Sequence, residues 1–212
     1  MPLLPRHLLV FLAAALRSPA TVGAVAPSSS HLAARLAAVV PSIGDPVVLE
    51  LGAGTGAVTS AIELRLCGRG RHLAVEIDAA LANYLRAEHP DVEVLVGDAA
   101  EVDQLLAGHQ VSAVDVVVSA LPWSLIDVGA QRTIVTTTAR SLRPGGCFTT
   151  FVGLHTLTMS RTRRFRALLD EVFDEVLPTR TIWRNLPPAV AYVCRRPYEI
   201  HREAPERLRM AS

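Results

Sequence analysis

Apolar and polar positions fall into short alternating blocks along most of the chain. Val47-Val48-Leu49-Glu50-Leu51 is dominated by β-branched and aliphatic residues and halts at Gly52-Ala53-Gly54-Thr55-Gly56. A run of this kind predicts a buried parallel strand. Glycines at alternate positions then make a turn without side chains, where backbone N–H groups and the start of the next helix can approach a ligand closely. The same grammar repeats downstream. Helices are expected at 57–67, closed by Gly68-Arg69-Gly70, and at 79–88, with strands at 73–78, 92–99 and 114–119. A helix at 134–142, a turn at Arg143-Pro144-Gly145-Gly146 and a strand at 147–152 complete the alternation. Residues 161–172 read as a further helix, and 182–195 as an antiparallel hairpin turning at Asn185-Leu186-Pro187-Pro188.

Strands and helices alternating at these lengths predict an α/β fold with a doubly wound, mostly parallel sheet, closed by the C-terminal hairpin. Ligands on such sheets bind beyond the carboxyl ends of the strands. Ahead of the first strand, Pro27-Ser28-Ser29-Ser30 supplies hydroxyl N-caps for a helix at 31–40.

Residues 1–27 have three readings. Arg6 and His7, the apolar run 8–16 and Ala24-Val25-Ala26 imitate a secretory signal, although Arg17 interrupts the run early. A transmembrane helix needs about 20 apolar residues, and the run is shorter. A helix at 5–17 with Leu8, Leu9, Phe11, Leu12 and Leu16 at helical spacing is the third reading. One of its faces could pack on protein while the other meets lipid, or it could be buried against its own domain or a partner subunit of an oligomer.

The chain has 212 residues, half of them hydrophobic, which suffices for one substantial domain. That domain is expected at 28–197, preceded by the apolar helix and linker (1–27) and followed by a charged tail (198–212). The formal net charge of +1 hides an asymmetry: residues 1–120 carry 7 Arg against 12 acids, residues 121–212 carry 14 Arg against 8. Anionic partners should prefer the C-terminal half. The basic residues are all Arg, which excludes a Schiff-base lysine and a Walker phosphate loop. Cys67, Cys147 and Cys194 are far apart and without a Cys-x-x-Cys pair. They predict a reducing compartment, no metal site, and buried thiols at all three positions.

Glu76 stands 20 residues beyond Gly56 at the end of the second strand, the separation at which an acid hydrogen-bonds ribose hydroxyls held beside a glycine turn. Two such charge-assisted bonds contribute roughly 1.5–3 kcal/mol each. Asp98 ends the third strand and suits an adenine amino group, or caps the next helix; Asp78 is expected to be a helix N-cap.

Together, Glu50-Leu51-Gly52-Ala53-Gly54-Thr55-Gly56, Val75-Glu76-Ile77-Asp78, Gly97-Asp98-Ala99 and Leu121-Pro122-Trp123 resemble the class I S-adenosylmethionine-dependent methyltransferases, with their Rossmann-like sheet, over about residues 28–152. The resemblance implies S-adenosylmethionine as cofactor. It places Glu50, Gly52, Ala53, Gly54 and Gly56 around its methionine part, Glu76 at its ribose and Asp98 and Ala99 beside its adenine, with Ile77 and Ser119 also in the cofactor site. A cofactor lacking pyrophosphate also tolerates Glu50 beside the turn. Within the family, the rRNA adenine dimethyltransferases share the first two motifs but carry Asn where this chain has Ala120, which disfavours adenine and nucleic acid as acceptor. The bacterial phospholipid N-methyltransferases are more similar, through the N-terminal apolar helix, the segments at 22–29 and 183–189, and the Ser119-Ala120-Leu121-Pro122 loop.

That resemblance implies methylation of the amino group of phosphatidylethanolamine or a related phospholipid, releasing S-adenosylhomocysteine, in the cytoplasm with peripheral contact at the inner membrane face. The contact is expected through the N-terminal helix and Arg161-Thr162-Arg163-Arg164-Phe165-Arg166. The Leu121 carbonyl is expected to aim the amine with Ser119 nearby, Trp123 to offer a π face to the cation, and His155 to accept the proton, with Tyr192 as runner-up. A soluble methyltransferase acting on a small amine, and a non-catalytic cofactor binder, are the alternative readings.

Overall fold

The computed structural model describes residues 28–198; the expected helix at 5–17 and the tail beyond 198 lie outside the described residues. The strands are β1 (Val47–Leu51), β2 (Arg71–Glu76), β3 (Glu93–Val96), β4 (Val114–Ser119), β5 (Leu142–Gly153), β6 (Phe173–Pro178) and β7 (Ala189–Pro197). The helices are α1 (Ser30–Ala37), α2 (Ala57–Leu66), α3 (Ala79–Glu88), α4 (Val102–Gly108), α5 (Val128–Ser141) and α6 (Ser160–Val172). All seven strands form one sheet in the order β3-β2-β1-β4-β5-β7-β6. Pairings among β1 to β5 are parallel, and β7 runs antiparallel to both β5 and β6. The order reverses between β1 and β4, which opens a crevice at their carboxyl ends.

Both faces of the sheet are covered because the central strands are apolar on both sides. Leu49 and Leu51 join Val117, Phe148 and the inner faces of α4, α5 and α6 in one cluster. Val48, Val116 and Val118 pack against α1 and α2 in a second, while Ala74 and Val94 meet α3 in a third. Each fully buried aliphatic side chain contributes about 1.5–3 kcal/mol. Ser29 caps α1, its hydroxyl accepting from the Leu32 N–H at 3.2 Å, and Asp78 caps α3 as expected, accepting from Ala80 and Leu81. Among the described residues, no helix is long and apolar enough to cross a membrane.

Three expectations need correction. The turn at 143–146 is a bulge inside β5: Leu142 pairs with Val114 and Cys147 with Val116, so four residues on one strand oppose one on the other. The closing hairpin is built from β6 and β7; around 185–188 there is only an isolated bridge, Ile182 to Ala189. The acidic, half-exposed run Phe173-Asp174-Glu175-Val176-Leu177-Pro178 hides its strand character because β6 is a sheet edge, ended by proline. Finally, Cys67 is exposed, unlike Cys147 and Cys194. It terminates α2 in a left-handed conformation (φ 50°), its N–H closing the helix on the Glu63 carbonyl.

Candidate active site

The glycine turn begins where β1 leaves the sheet. Gly52, Gly54 and Gly56 all have left-handed φ (75°, 58° and 86°), a conformation that side chains resist. Their backbone is tied to β2: the Gly52 N–H donates to the Val75 carbonyl at 2.9 Å. Glu76 completes the turn from the other side. It is 2% exposed, and its carboxylate accepts from the Gly54 N–H (2.8 Å) and the Asp78 N–H (2.9 Å). Burial pushes this carboxyl above its ordinary value, an effect the N–H groups of Asp78, Gly54 and Ile77 oppose. With three N–H groups on its four acceptor positions, the carboxylate keeps one for a hydroxyl partner. Asp98 sits at the next strand end with Oδ1 capping the Ala99–Glu101 turn through the Ala100 N–H (2.9 Å). Ala99 beside it is buried.

Glu50 lies beneath the turn, fully buried. Its Oε2 accepts from the Thr59 hydroxyl (2.9 Å) and faces His72 Nε2 (3.1 Å), while Oε1 has no partner. An unsatisfied buried carboxylate oxygen costs about 1–3 kcal/mol, so it is a ready acceptor for a donor group on a ligand. A glycine-rich turn with left-handed glycines, a paired strand-end carboxylate and an orphaned acceptor together suit a nucleoside carrying an ammonium, and so fit S-adenosylmethionine.

The 119–123 loop leaves β4 directly beside this turn, since Ser119 pairs with Leu51 and the Ala120 N–H donates to the Leu51 carbonyl (2.9 Å). Leu121 rests on Gly52: a Cβ added there would come within 2.8 Å of Leu121 Cδ2. The Leu121 carbonyl accepts from the Trp123 N–H at 3.0 Å and retains one lone pair. Ser119 is fully buried, its Oγ 3.4 Å from the Leu121 N–H.

On the far side of the loop a cleft opens, lined by Leu121, Pro122, Leu125, Phe151, His155 and Leu186 among others. Among the described residues its lining holds no Asp, Glu, Lys or Arg. His155 is exposed and stands over Gly153, where an added Cβ would meet its ring at 2.7 Å.

Trp123 does not take its expected place. The indole is 2% exposed, stacked on Phe165 (centroids 4.3 Å apart, 19° between planes) and edge-on to Phe148, with Nε1 donating to the Thr150 hydroxyl at 2.6 Å. Trp123 does border the cleft, but with one face stacked on Phe165 and the ring almost wholly covered it offers no open face to a cation. Tyr192 is also displaced: it lies under the Arg166 guanidinium (5.3 Å) within the buried cluster and is absent from the cleft lining, and burial raises its pKa. Of the α6 arginines, Arg166 pairs with Asp170 and Arg163 donates to the Thr158 carbonyl (2.9 Å), while Arg161 and Arg164 are exposed.

Two positioning residues were not legible as such in the sequence. Gln131 Nε2 donates to the Trp123 and Ile126 carbonyls (2.6 and 3.2 Å), fixing the floor of the cleft from α5. Asn185 accepts from the Ser29 N–H (2.9 Å) and donates to the Pro187 carbonyl (2.7 Å), joining the start of α1 to the far rim. In the sequence the turn-like Asn-Leu-Pro-Pro hides that Asn185 is buried.

Comparisons with known proteins agree with this geometry. Residues 48–146 match a family model described as "Methyltransferase domain". The chain is 32% identical over 189 residues to an ornithine lipid N-methyltransferase of Singulisphaera acidiphila, covering 88% of this chain and 94% of that protein. A shorter match, 38% identical over 76 residues, relates 34% of this chain to 26% of the ribosomal RNA small subunit methyltransferase A of Geobacter metallireducens. Human methyltransferase-like protein 13, solved in complex with SAH, shares the fold at 16% identity (TM-score 0.56, covering 79% of each chain). With a relative matched over nearly its whole length and a donor turn of the expected build, the chain belongs to the class I S-adenosylmethionine-dependent methyltransferases and is related to their lipid N-methyltransferases.

Proposed function

We propose that this enzyme methylates the primary amino group of a membrane lipid, phosphatidylethanolamine or another amino lipid, and releases S-adenosylhomocysteine. The observation that carries the reading is the uncharged, largely apolar cleft beginning at Leu121, whose side chain rests on the donor turn at Gly52. A lipid amine brings an apolar body and a nitrogen that must be neutral to react, and the cleft suits both. The 32% identity to an ornithine lipid N-methyltransferase supports an amino lipid as acceptor.

On this reading Gly52, Ala53, Gly54 and Gly56 seat the methionine part of the cofactor, with Glu50 offering its free oxygen to the ammonium. Glu76 and Ile77 hold the ribose, and Asp98 and Ala99 border the adenine. Bound S-adenosylmethionine supplies an electrophilic methyl group on a sulfonium. The remaining lone pair of the Leu121 carbonyl accepts an N–H of the substrate and aims the nitrogen lone pair at that carbon, with Ser119 stiffening the loop from beneath. Transfer of that methyl would leave the positive charge on the amine, whose N–H stays held by the Leu121 carbonyl. For an amine with a pKa of about 10.4, deprotonation at neutral pH costs roughly 4.6 kcal/mol. An uncharged cleft lowers that cost by disfavouring the ammonium, and His155 at the rim relays the released proton to solvent.

The test is incubation of the purified enzyme with methyl-labelled cofactor and vesicles containing phosphatidylethanolamine or ornithine lipid. Label in the lipid fraction is expected. Transfer to a small soluble amine with none to either lipid would overturn the reading.

A further inference from the structure

The segment between β6 and β7 carries two apolar side chains where the fold gains nothing from them. Trp183 is 71% exposed and Leu186 80%. Neither exposure comes from a loose loop. Ile182 between them and the sheet is buried and bridged to Ala189, its N–H donating to the Ala189 carbonyl at 2.8 Å. Asn185 is buried and bonded to Ser29, and the Pro188 carbonyl accepts from the Leu154 N–H at 2.7 Å. The segment is therefore anchored at both ends and in the middle, with its polar Asn inward and its Trp and Leu outward, the reverse of what folding alone favours.

We infer that the 180–186 segment is a membrane-docking loop that inserts Trp183 and Leu186 into the interfacial layer of an anionic bilayer. Its charge selects that occupant: residues 179–188 contain two Arg and no acid, and both, Arg180 and Arg184, are exposed beside the apolar tips. Tryptophan flanked by arginine suits the headgroup boundary, where the ring is half solvated and the guanidinium meets phosphate. Position gives the loop its purpose. Asn185, Leu186 and Pro187 line the acceptor cleft, so a bilayer engaging the tip lies at the cleft mouth and a headgroup can enter while its acyl chains stay in lipid. Exposed Met159 and Arg161, at the start of α6 just beyond the cleft wall at Thr156, extend the same apolar and cationic rim. This inference rests on the lipid-amine reading above and adds the element that delivers the substrate.

The full chain lends itself to a direct test, because it has two tryptophans and the other, Trp123, is buried. Vesicles of phosphatidylglycerol and phosphatidylcholine carrying brominated acyl chains should shift the Trp183 emission to the blue and quench it, whereas phosphatidylcholine alone should do so weakly. Trp183→Ser should abolish the quenching and weaken vesicle partitioning on the order of tenfold, with turnover unchanged on a short-chain phosphatidylethanolamine that is monomeric in solution. Absence of quenching in the wild type, whether because residues 1–27 or a protein partner occupy the loop, overturns the inference, as does wild-type vesicle binding by Trp183→Ser. Turnover on the monomeric lipid without quenching rejects the docking loop alone. Quenching without turnover on any amino lipid rejects the acceptor reading alone.

Discussion

The two sides of the proposed reaction centre are built by different means. The donor side is local: glycines with left-handed φ, a strand-end acid and a helix N-cap, all between Glu50 and Asp98 and held by backbone bonds of adjacent strands. The acceptor side is assembled from distant pieces. Leu121 comes from just beyond β4, Phe151 from the end of β5 and His155 from the turn after it, Asn185 and Leu186 from the segment before β7, and Ser28 from the segment that leads into α1. The first is specified by backbone conformation, the second by which side chains the sheet order gathers. A substitution should therefore damage one side without the other, except where Leu121 meets Gly52.

The largest effect is expected at Gly56. Its φ of 86° strains any side chain, and a Cβ would fall 2.5 Å from His89 Nε2. Gly56→Ala should weaken cofactor binding on the order of a hundredfold by calorimetry, while the acceptor rim keeps its wild-type hydrogen-exchange protection at Ser29. Asn185→Ala makes the opposite cut. It should lower kcat/KM for the lipid by roughly tenfold and stability by about 1–3 kcal/mol through the unpaired groups it leaves, with cofactor affinity unchanged in the same calorimetric titration. Loss of cofactor affinity in Asn185→Ala would show that the two sides are not separable.

Glu76 sharpens the donor side through pH. Its folded carboxyl is held above the ordinary 4.5 by burial, so in that window the folded state binds more protons than the unfolded one. The carboxyl's contribution to stability falls as pH rises from the unfolded value through the folded one, and is constant above it. Thermal melts should show Glu76→Gln gaining stability relative to wild type across that rise, then levelling. A difference independent of pH would contradict it. The smallest effect belongs to Trp123→Phe, which loses the Thr150 hydrogen bond and should cost about 1 kcal/mol with KM for the amine unaltered; a raised KM would restore the cation–π role.

The same division explains what the sequence disclosed. Glycine spacing and strand-end acids are short-range signals, so the donor turn, β1 to β4 and the Asp78 cap could be placed from residues near one another. Trp123 misled because an aromatic beside a reactive loop looks alike whether its ring is open to the cleft or covered by Phe165, and Phe165 is 42 positions away. Strand β6 was hidden by its exposed acids, and Asn185 by proline neighbours that speak for a turn. In each case the deciding partner lies on another strand or helix.

The hydrogen bond between Ser29 and Asn185 spans 156 positions and sets a timetable. During synthesis, every element of the donor turn has left the ribosome before the residue that closes the acceptor rim is added. A chain growing at about 5–20 residues per second therefore passes through a stage in which it has the parts to recognise its methyl donor but none of the finished cleft in which to use it.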